Sequence, residues 1–270
     1  MTGYDELLDL ARKTAIEAAD LALTRRLEGV EIAATKSTQT DIVTNADRET
    51  ERLIRSRLAE ARPDDGFFGE ESEAGTGSSG LTWVVDPIDG TVNYAYGIPA
   101  WAVSIALVEG EPDPASWRTL AGVVTNPAVG ETYTASLGGG AFLDGRRLQV
   151  APGTDLGLAL VGTGFSYTAE RRVQAAKLLT GLIGQVRDIR RIGAASLDLC
   201  AVASGRLDAY FERGLHPWDH AAGALVAREA GARVGGLDGA REGRALTIAA
   251  EPELFAQLET VLAELGIAAD

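Results

Sequence analysis

Apolar residues recur at helical spacing near the start of the chain. Leu7, Leu8, Ala11, Ala15, Ala18 and Ala22 share one face, which predicts a helix over 4–26 that ends before Gly29. Residues 30–35 carry the β-formers Val30 and Ile32, and polar residues follow from Lys36 to Asp41. A second helix is predicted from Asn45 to Ala61, with Leu53, Ile54 and Leu58 as its apolar stripe and Pro63 beyond its end. The pattern then shortens. Phe67-Phe68 and Trp83-Val84-Val85 read as buried strands on either side of the Gly/Ser-rich loop 75–80. Further strands are predicted at 100–108, 119–125 and 130–135, with a hairpin turn at Asp144-Gly145. Strands crowded in this way predict an antiparallel sheet.

From residue 156 the rhythm alternates. Strands at 158–163, 187–191, 207–211 and 246–249 interleave with helices at 168–183, 195–204, 219–230 and 252–265. The first half therefore reads as α+β and the second as an α/β layer. No linker or repeat separates them. The expected organisation is one compact unit over 1–270, with subdomains of about 1–152 and 153–270.

Composition narrows the class. The chain has 270 residues, 46% hydrophobic and 24% charged, which is an ordinary globular balance. Its net charge of −14 argues against binding a phosphate backbone and suits a protein that gathers cations. Cys200 is the only cysteine, so no internal disulfide exists, and it lies in an apolar run that predicts a core position. His216 and His220 are too few for a typical zinc site. The first 29 residues carry no signal-peptide pattern, and no stretch reaches the ~20 apolar residues of a membrane span. A cytoplasmic protein without nucleic-acid or membrane partners is expected.

Candidate chemistry concentrates in Asp86-Pro87-Ile88-Asp89-Gly90-Thr91. A buried strand delivers Asp86, Pro87 is expected to break it, and Asp89-Gly90 turns the chain. Two carboxylates three residues apart and the intervening Ile88 carbonyl can converge on one point. Hard oxygen donors without histidine or cysteine suit Mg²⁺ or Mn²⁺. Gly90 and Thr91 would open a short helix whose N–H groups can hold a phosphate. The same residues are also ordinary turn formers. Glu70-Glu71 could simply be a solvated strand end, Asp219 a helix N-cap, and Thr44-x-x-Asp47 a capping box.

Four segments occur together in one order: DIVTNAD at 41–47, GEES at 69–72, WVVDPIDGTVNY at 83–94 and WDHAAG at 218–223. In this the chain resembles the inositol monophosphatase family of Mg²⁺-dependent, Li⁺-sensitive sugar phosphatases, over nearly its whole length. The resemblance implies a layered αβαβα sandwich, commonly assembled as a homodimer. It implies that Glu70, Asp86 and the Ile88 carbonyl hold a first Mg²⁺, and that Asp86, Asp89 and Asp219 hold a second. Glu70 would also help to retain a weaker third ion, and Mn²⁺ could substitute.

The resemblance further assigns Thr91 and Asp47 to the attacking water, the Gly90 and Thr91 N–H groups to the phosphate, and Glu212 to polyol hydroxyls. A surface Glu beside Arg213 is the alternative for Glu212. The sugar-contacting segment, commonly Gly-Ser/Thr-Ala, is here Gly193-Ala194-Ala195, so Ala194 stands where a hydroxyl is usual. Tyr94 replaces a frequent Phe, and Ala232 a frequent Gly.

The implied substrate is a small phosphomonoester, foremost myo-inositol monophosphate. Histidinol phosphate, fructose 1,6-bisphosphate and 3′-phosphoadenosine 5′-phosphate are alternatives with the same chemistry. A non-catalytic metal-binding or regulatory protein on the same fold would be expected to lack Asp47, Glu70 or Thr91, and all three are present. Segment 36–44 is expected to form a flap over the site.

Overall fold

The structure is a computed structural model that describes residues 3–30, 32–35, 42–110 and 113–267. Residues 36–41, most of the expected flap, lie outside the described residues.

The first half runs α1 (Asp5–Glu28), β1 (Ile32–Thr35), β2 (Ile42–Thr44), α2 (Asn45–Ala61), β3 (Gly66–Gly69), β4 (Leu81–Asp89), α3 (Thr91–Tyr96), β5 (Ala102–Glu109), β6 (Arg118–Asn126), β7 (Glu131–Ser136), β8 (Gly140–Leu143) and β9 (Arg146–Arg147). Strands β3 to β9 lie in sequence order in one seven-stranded sheet. Only β3–β4 is parallel, so the sheet is antiparallel almost throughout, as the crowded strands predicted.

The second half runs β10 (Leu160–Thr163), α4 (Ala169–Leu182), β11 (Asp188–Arg190), α5 (Ala195–Ala203), β12 (Ala209–Glu212), α6 (Pro217–Glu229), β13 (Arg233–Gly235), β14 (Thr247–Ala250) and α7 (Pro252–Glu264). Its five strands are ordered β11-β10-β12-β14-β13. β10, β11 and β12 are parallel, and β14 runs antiparallel to β12 and β13. β13 has no counterpart in the hydrophobic pattern, because three residues ending in Gly235 give too short an alternation.

Side-chain alternation builds the layers. Val85, Val103, Ile105 and Leu107 face α1 and α2, where they meet Ala11, Ala15, Ile54 and Leu58. Their neighbours Val84, Ala106 and Val108 face α6, against Ala222, Leu225 and Val226. The smaller sheet repeats the arrangement. Tyr210 and Ala249 turn toward α5 and α6, whereas Phe211 and Ile248 turn toward Leu254, Phe255 and Leu258 of α7. The order is helix, sheet, helix, sheet, helix: the αβαβα sandwich. Cys200 is buried in the central helical layer, as expected of a core cysteine. Among the described residues no helix is long and apolar enough to cross a membrane.

Two local corrections matter for the site. Pro87 does not end the strand. β4 continues to Asp89, and its register with β5 slips by one residue between Asp86 and Asp89. At such a bulge the missing proline N–H leaves no ladder bond unmade. The second correction is that α6 begins at Pro217, two residues earlier than its apolar pattern suggests, because proline is preorganised for the first helical turn. Asp219 is therefore the third helical residue rather than the cap.

The central helices approach closely. A Cβ on Gly223 of α6 would lie 2.9 Å from Leu199 Cβ and 3.1 Å from the Ser196 carbonyl on α5. Gly223→Ala is expected to destabilise the protein by about 1–3 kcal/mol through overpacking. The urea midpoint measures this, and an unchanged midpoint would mean that the helices can part freely.

Candidate active site

β4, α3, α5, α6 and the end of β12 surround a cleft of about 570 Å³. Glu70, Asp86, Ile88, Asp89, Gly90, Thr91, Glu212 and Asp219 all line it. Residues up to 149 positions apart in sequence are thus brought to one cavity.

The β4 bulge organises the centre. The Asp86 carboxylate accepts the Ile88 N–H at 3.0 Å, which fixes the turn that carries the Ile88 carbonyl. Asp89 Oδ2 accepts both the backbone N–H (2.7 Å) and the hydroxyl (2.5 Å) of Ser196. One oxygen of Asp89 is thereby held by α5. Gly90 follows at φ +87°, a conformation that strains any residue with a Cβ. A Cβ there would also come within 3.0–3.2 Å of the Ala100 carbonyl, the Ala194 Cβ and the Gly193 carbonyl.

Asp47 reaches the site from the first turn of α2. The capping box is real: Thr44 N–H and hydroxyl both donate to Asp47 Oδ2, at 2.8 and 2.5 Å. Capping uses only one oxygen. The Thr91 hydroxyl lies 3.2 Å from Asp47 Oδ1 and 3.1 Å from the Ile88 carbonyl, so it can donate to either. The structural and chemical readings of Asp47 are therefore compatible, one per oxygen. Likewise Asp219 Oδ2 accepts the His216 N–H at 2.6 Å while its residue lines the cleft.

Electrostatics mark the cluster. Burial pushes Asp47 up to about 7, against the hydrogen bonds from Thr44, and the nearby Glu71 and Glu70 add to the rise. Burial raises Asp89 to about 6, opposed by Ser196 and reinforced by Glu70. Asp219 is also raised, by burial and then by Glu70 and Asp89. Several carboxylates are held near one another in a low-dielectric pocket, a costly arrangement for a fold to keep without a purpose. Among the described residues, no three acidic, histidine or cysteine side chains stand ready to enclose an ion. What the structure shows is a shared cleft rather than a closed cage.

Glu212 faces the cleft from the end of β12. It accepts the Tyr210 hydroxyl at 2.6 Å, and burial lifts it to about 7. Ala194 is placed otherwise than expected. It is only 1% exposed and packs under Gly90, while its neighbours Gly193 and Ala195 line the cleft. The α5 N-terminus turns there, which directs the middle residue of the three inward.

Some contributors are invisible to motif reading. Glu51, one helical turn beyond Asp47, is buried, and its carboxylate accepts the Glu71 N–H at 2.8 Å. It thereby anchors the segment that carries Glu70. Its i, i+4 relation to Asp47 is a signal that periodicity analysis could have used. Arg171, Arg191, Arg213 and Arg244 line the cleft and give it a basic component beside the acidic one. They come from four separate segments and share no motif. His216 stacks on Trp218 (5.0 Å, 3°) at the cleft wall. His220 is buried and pushed down to about 4 by burial, so it is a neutral packing group.

Comparison with known proteins agrees with the geometry. The family model for the inositol monophosphatase family matches residues 4–268. The chain is 48% identical over 246 residues to inositol-1-monophosphatase SuhB of Mycobacterium tuberculosis, covering 84% of this chain and 83% of that protein. It is 42% identical over 229 residues to a Xylella fastidiosa protein named Nus factor SuhB, covering 84% and 80%. The crystal structure of the suppressor protein suhB from Bartonella henselae superposes with a TM-score of 0.87 at 34% identity, covering 96% of this chain and 98% of that one. A matching sandwich and a family match over nearly every residue lead to one conclusion: the chain belongs to the inositol monophosphatase family.

Proposed function

We propose that this protein is a Mg²⁺-dependent phosphomonoesterase that hydrolyses myo-inositol monophosphate to inositol and phosphate, working as a homodimer. The observation that carries this reading is the Asp47–Thr91 contact beside the carboxylates of Glu70, Asp86, Asp89 and Asp219 in one cleft. The donor set fits a hard divalent cation: its members are all oxygen ligands, and beyond burial Glu70 raises the proton affinity of both Asp89 and Asp219, while Asp89 adds to the rise at Asp219, for want of neutralising charge. Glu70, Asp86, Asp89, Asp219 and the Ile88 carbonyl would hold Mg²⁺, with Mn²⁺ as a substitute. When bound, the cations neutralise the ester dianion and act as Lewis acids on it.

The remaining chemistry belongs to the chain. The Thr91 hydroxyl, oriented by Asp47, accepts a hydrogen bond from the attacking water, and Asp47 draws the proton through Thr91. The water oxygen bonds to phosphorus, the ester P–O bond breaks, the departing alkoxide takes a proton from solvent water, and Asp47 returns the proton it received to solvent. Gly90 and Thr91 N–H groups hold the phosphate. Glu212, braced by Tyr210, receives polyol hydroxyls. No side chain forms a covalent intermediate.

A phosphate-release panel tests the reading. Inositol monophosphate, histidinol phosphate, fructose 1,6-bisphosphate and 3′-phosphoadenosine 5′-phosphate are compared with and without Mg²⁺. Metal-dependent release, fastest from the inositol ester, is expected. Release from none of them would overturn the proposal.

Glu51 offers a separate check. Glu51→Ala removes the acceptor of the half-buried Glu71 N–H, at a cost of about 1 kcal/mol, and frees the strand end bearing Glu70. It is expected to raise the Mg²⁺ concentration for half-maximal activity by about tenfold, within the range seen when a supporting group behind a ligand is lost. Glu51→Gln keeps an acceptor for the Glu71 N–H and should stay within about threefold of the parent. Equal behaviour of the two variants would show that the hydrogen bond is not what matters.

A further inference from the structure

A second cavity of about 590 Å³ adjoins the candidate active site, at the carboxyl ends of the parallel strands β10 and β12. Ligands gather at such ends because the strands stop together and leave a crevice. The two cavities share a wall made of Ser166, Arg171, Glu212, Arg213, Gly214 and Arg244. Glu212 is thus the boundary residue. Its carboxylate lies over Gly164, where a Cβ would come within 1.9–2.1 Å of it. Any side chain at position 164 would displace Glu212 from the boundary.

The outer cavity combines two chemistries. Arg171, Lys177, Arg213 and Arg244 line it, with Glu212 as the sole acid among its lining residues. In a chain of net charge −14, four cations against one anion is a local inversion. Its remaining surface is largely apolar and includes Leu178, Leu179 and Phe211. An apolar wall with convergent cations recognises an anion carried on an apolar stem.

We infer that the outer cavity receives the far end of the substrate's alcohol, and that the enzyme favours phosphomonoesters whose leaving group carries an apolar stem ending in an anionic group. The inference rests on the phosphatase reading and extends it past Glu212. The reaction is unchanged: water attacks phosphorus, the ester P–O bond breaks, and the extended alcohol leaves with a proton. The stem passes Glu212, and Arg171, Lys177, Arg213 and Arg244 attract its terminal charge.

The test compares hexyl phosphate with 6-(phosphonooxy)hexanoate, which differs by one terminal carboxylate, using inositol 1-phosphate as the reference. The carboxylated ester is expected to have a kcat/KM at least about tenfold above that of hexyl phosphate, a gain that ~0.5 M salt should reduce by screening. Lys177 lines only the outer cavity. Lys177→Glu is therefore expected to cut the tenfold preference to about threefold or less while leaving inositol 1-phosphate turnover unchanged. Leu178→Glu, which places the charge on the apolar wall, should act in the same direction. Equal kcat/KM for the two alkyl esters, or a preference untouched by both variants, would overturn the inference and leave the phosphatase reading standing. Failure to hydrolyse any of the three esters would remove both.

Discussion

Asp89→Asn is expected to lower phosphate release by at least ~1,000-fold at saturating Mg²⁺ while the protein stays folded. The substitution hardly changes shape, and an amide oxygen can still accept the two Ser196 hydrogen bonds at Oδ2. What it removes is a negative charge from a buried group of carboxylates. Several kcal/mol of transition-state stabilisation depend on that charge, and each 1.36 kcal/mol is a tenfold change in rate, hence the three orders of magnitude. The same change relieves repulsion, because Asp89 raises Asp219. In EDTA the variant should therefore melt no lower than the parent, and its melting temperature should respond less to added Mg²⁺. Near-normal turnover would remove Asp89 from the proposed ligand set. A large loss of stability in EDTA would mean that its bond to α5, rather than its charge, is the main contribution.

The metal-free protein should lose stability as pH rises from 5 to 8, the reverse of ordinary acid denaturation. In the fold, Asp47 and Glu212 titrate at about 7 and Asp89 at about 6, while Asp219 is also raised. In the unfolded chain these groups titrate near 4. Between those values the folded state binds more protons, so stability falls with rising pH. For Asp47, Glu212 and Asp89 the contribution is complete below about pH 4 and gone above about pH 7, and the raised Asp219 acts in the same direction. For Asp47 alone, a rise from 3.8 to about 7 corresponds to ~4 kcal/mol. A drop of about 10 °C in melting temperature between pH 5 and 8 in EDTA follows. Millimolar Mg²⁺ should flatten or invert the trend, since a cation replaces the protons and binds better as they leave. A melting temperature in EDTA that climbs steadily from pH 5 to 8 would show that the carboxylates do not act as a buried group.

Much of this was readable before any coordinates, and for identifiable reasons. The helix Asn45–Ala61 is legible at close to its observed bounds because both ends carry strong local signals, the Thr44 capping pair and Pro63. The alternation of helices and strands after residue 156 foretold the second sheet, since each element is long enough to show its period. Strand β13 escaped because three residues have no period, and Pro87 misled because a proline is harmless at a bulge. The carboxylates stood out as motifs, but each had an innocuous local role. The structure shows why sequence could not choose: Asp47 serves as helix cap with one oxygen and as Thr91's partner with the other. Contacts such as Ser196 to Asp89 span 107 residues and leave no local trace. The same holds for the four arginines, which only the fold collects.

The bond between Asp89 and Ser196 has a consequence for dissection of the molecule. Asp89 ends a strand of the larger sheet, while Ser196 and Asp219 ride on helices α5 and α6, which follow β10 of the smaller one. A cut in the connection between Arg147 and Leu160 would leave each fragment with an intact share of strands and an incomplete set of acids. Neither piece alone would be an enzyme. Catalysis would return only when the two were co-expressed and reassembled, which makes the protein a natural candidate for a split reporter.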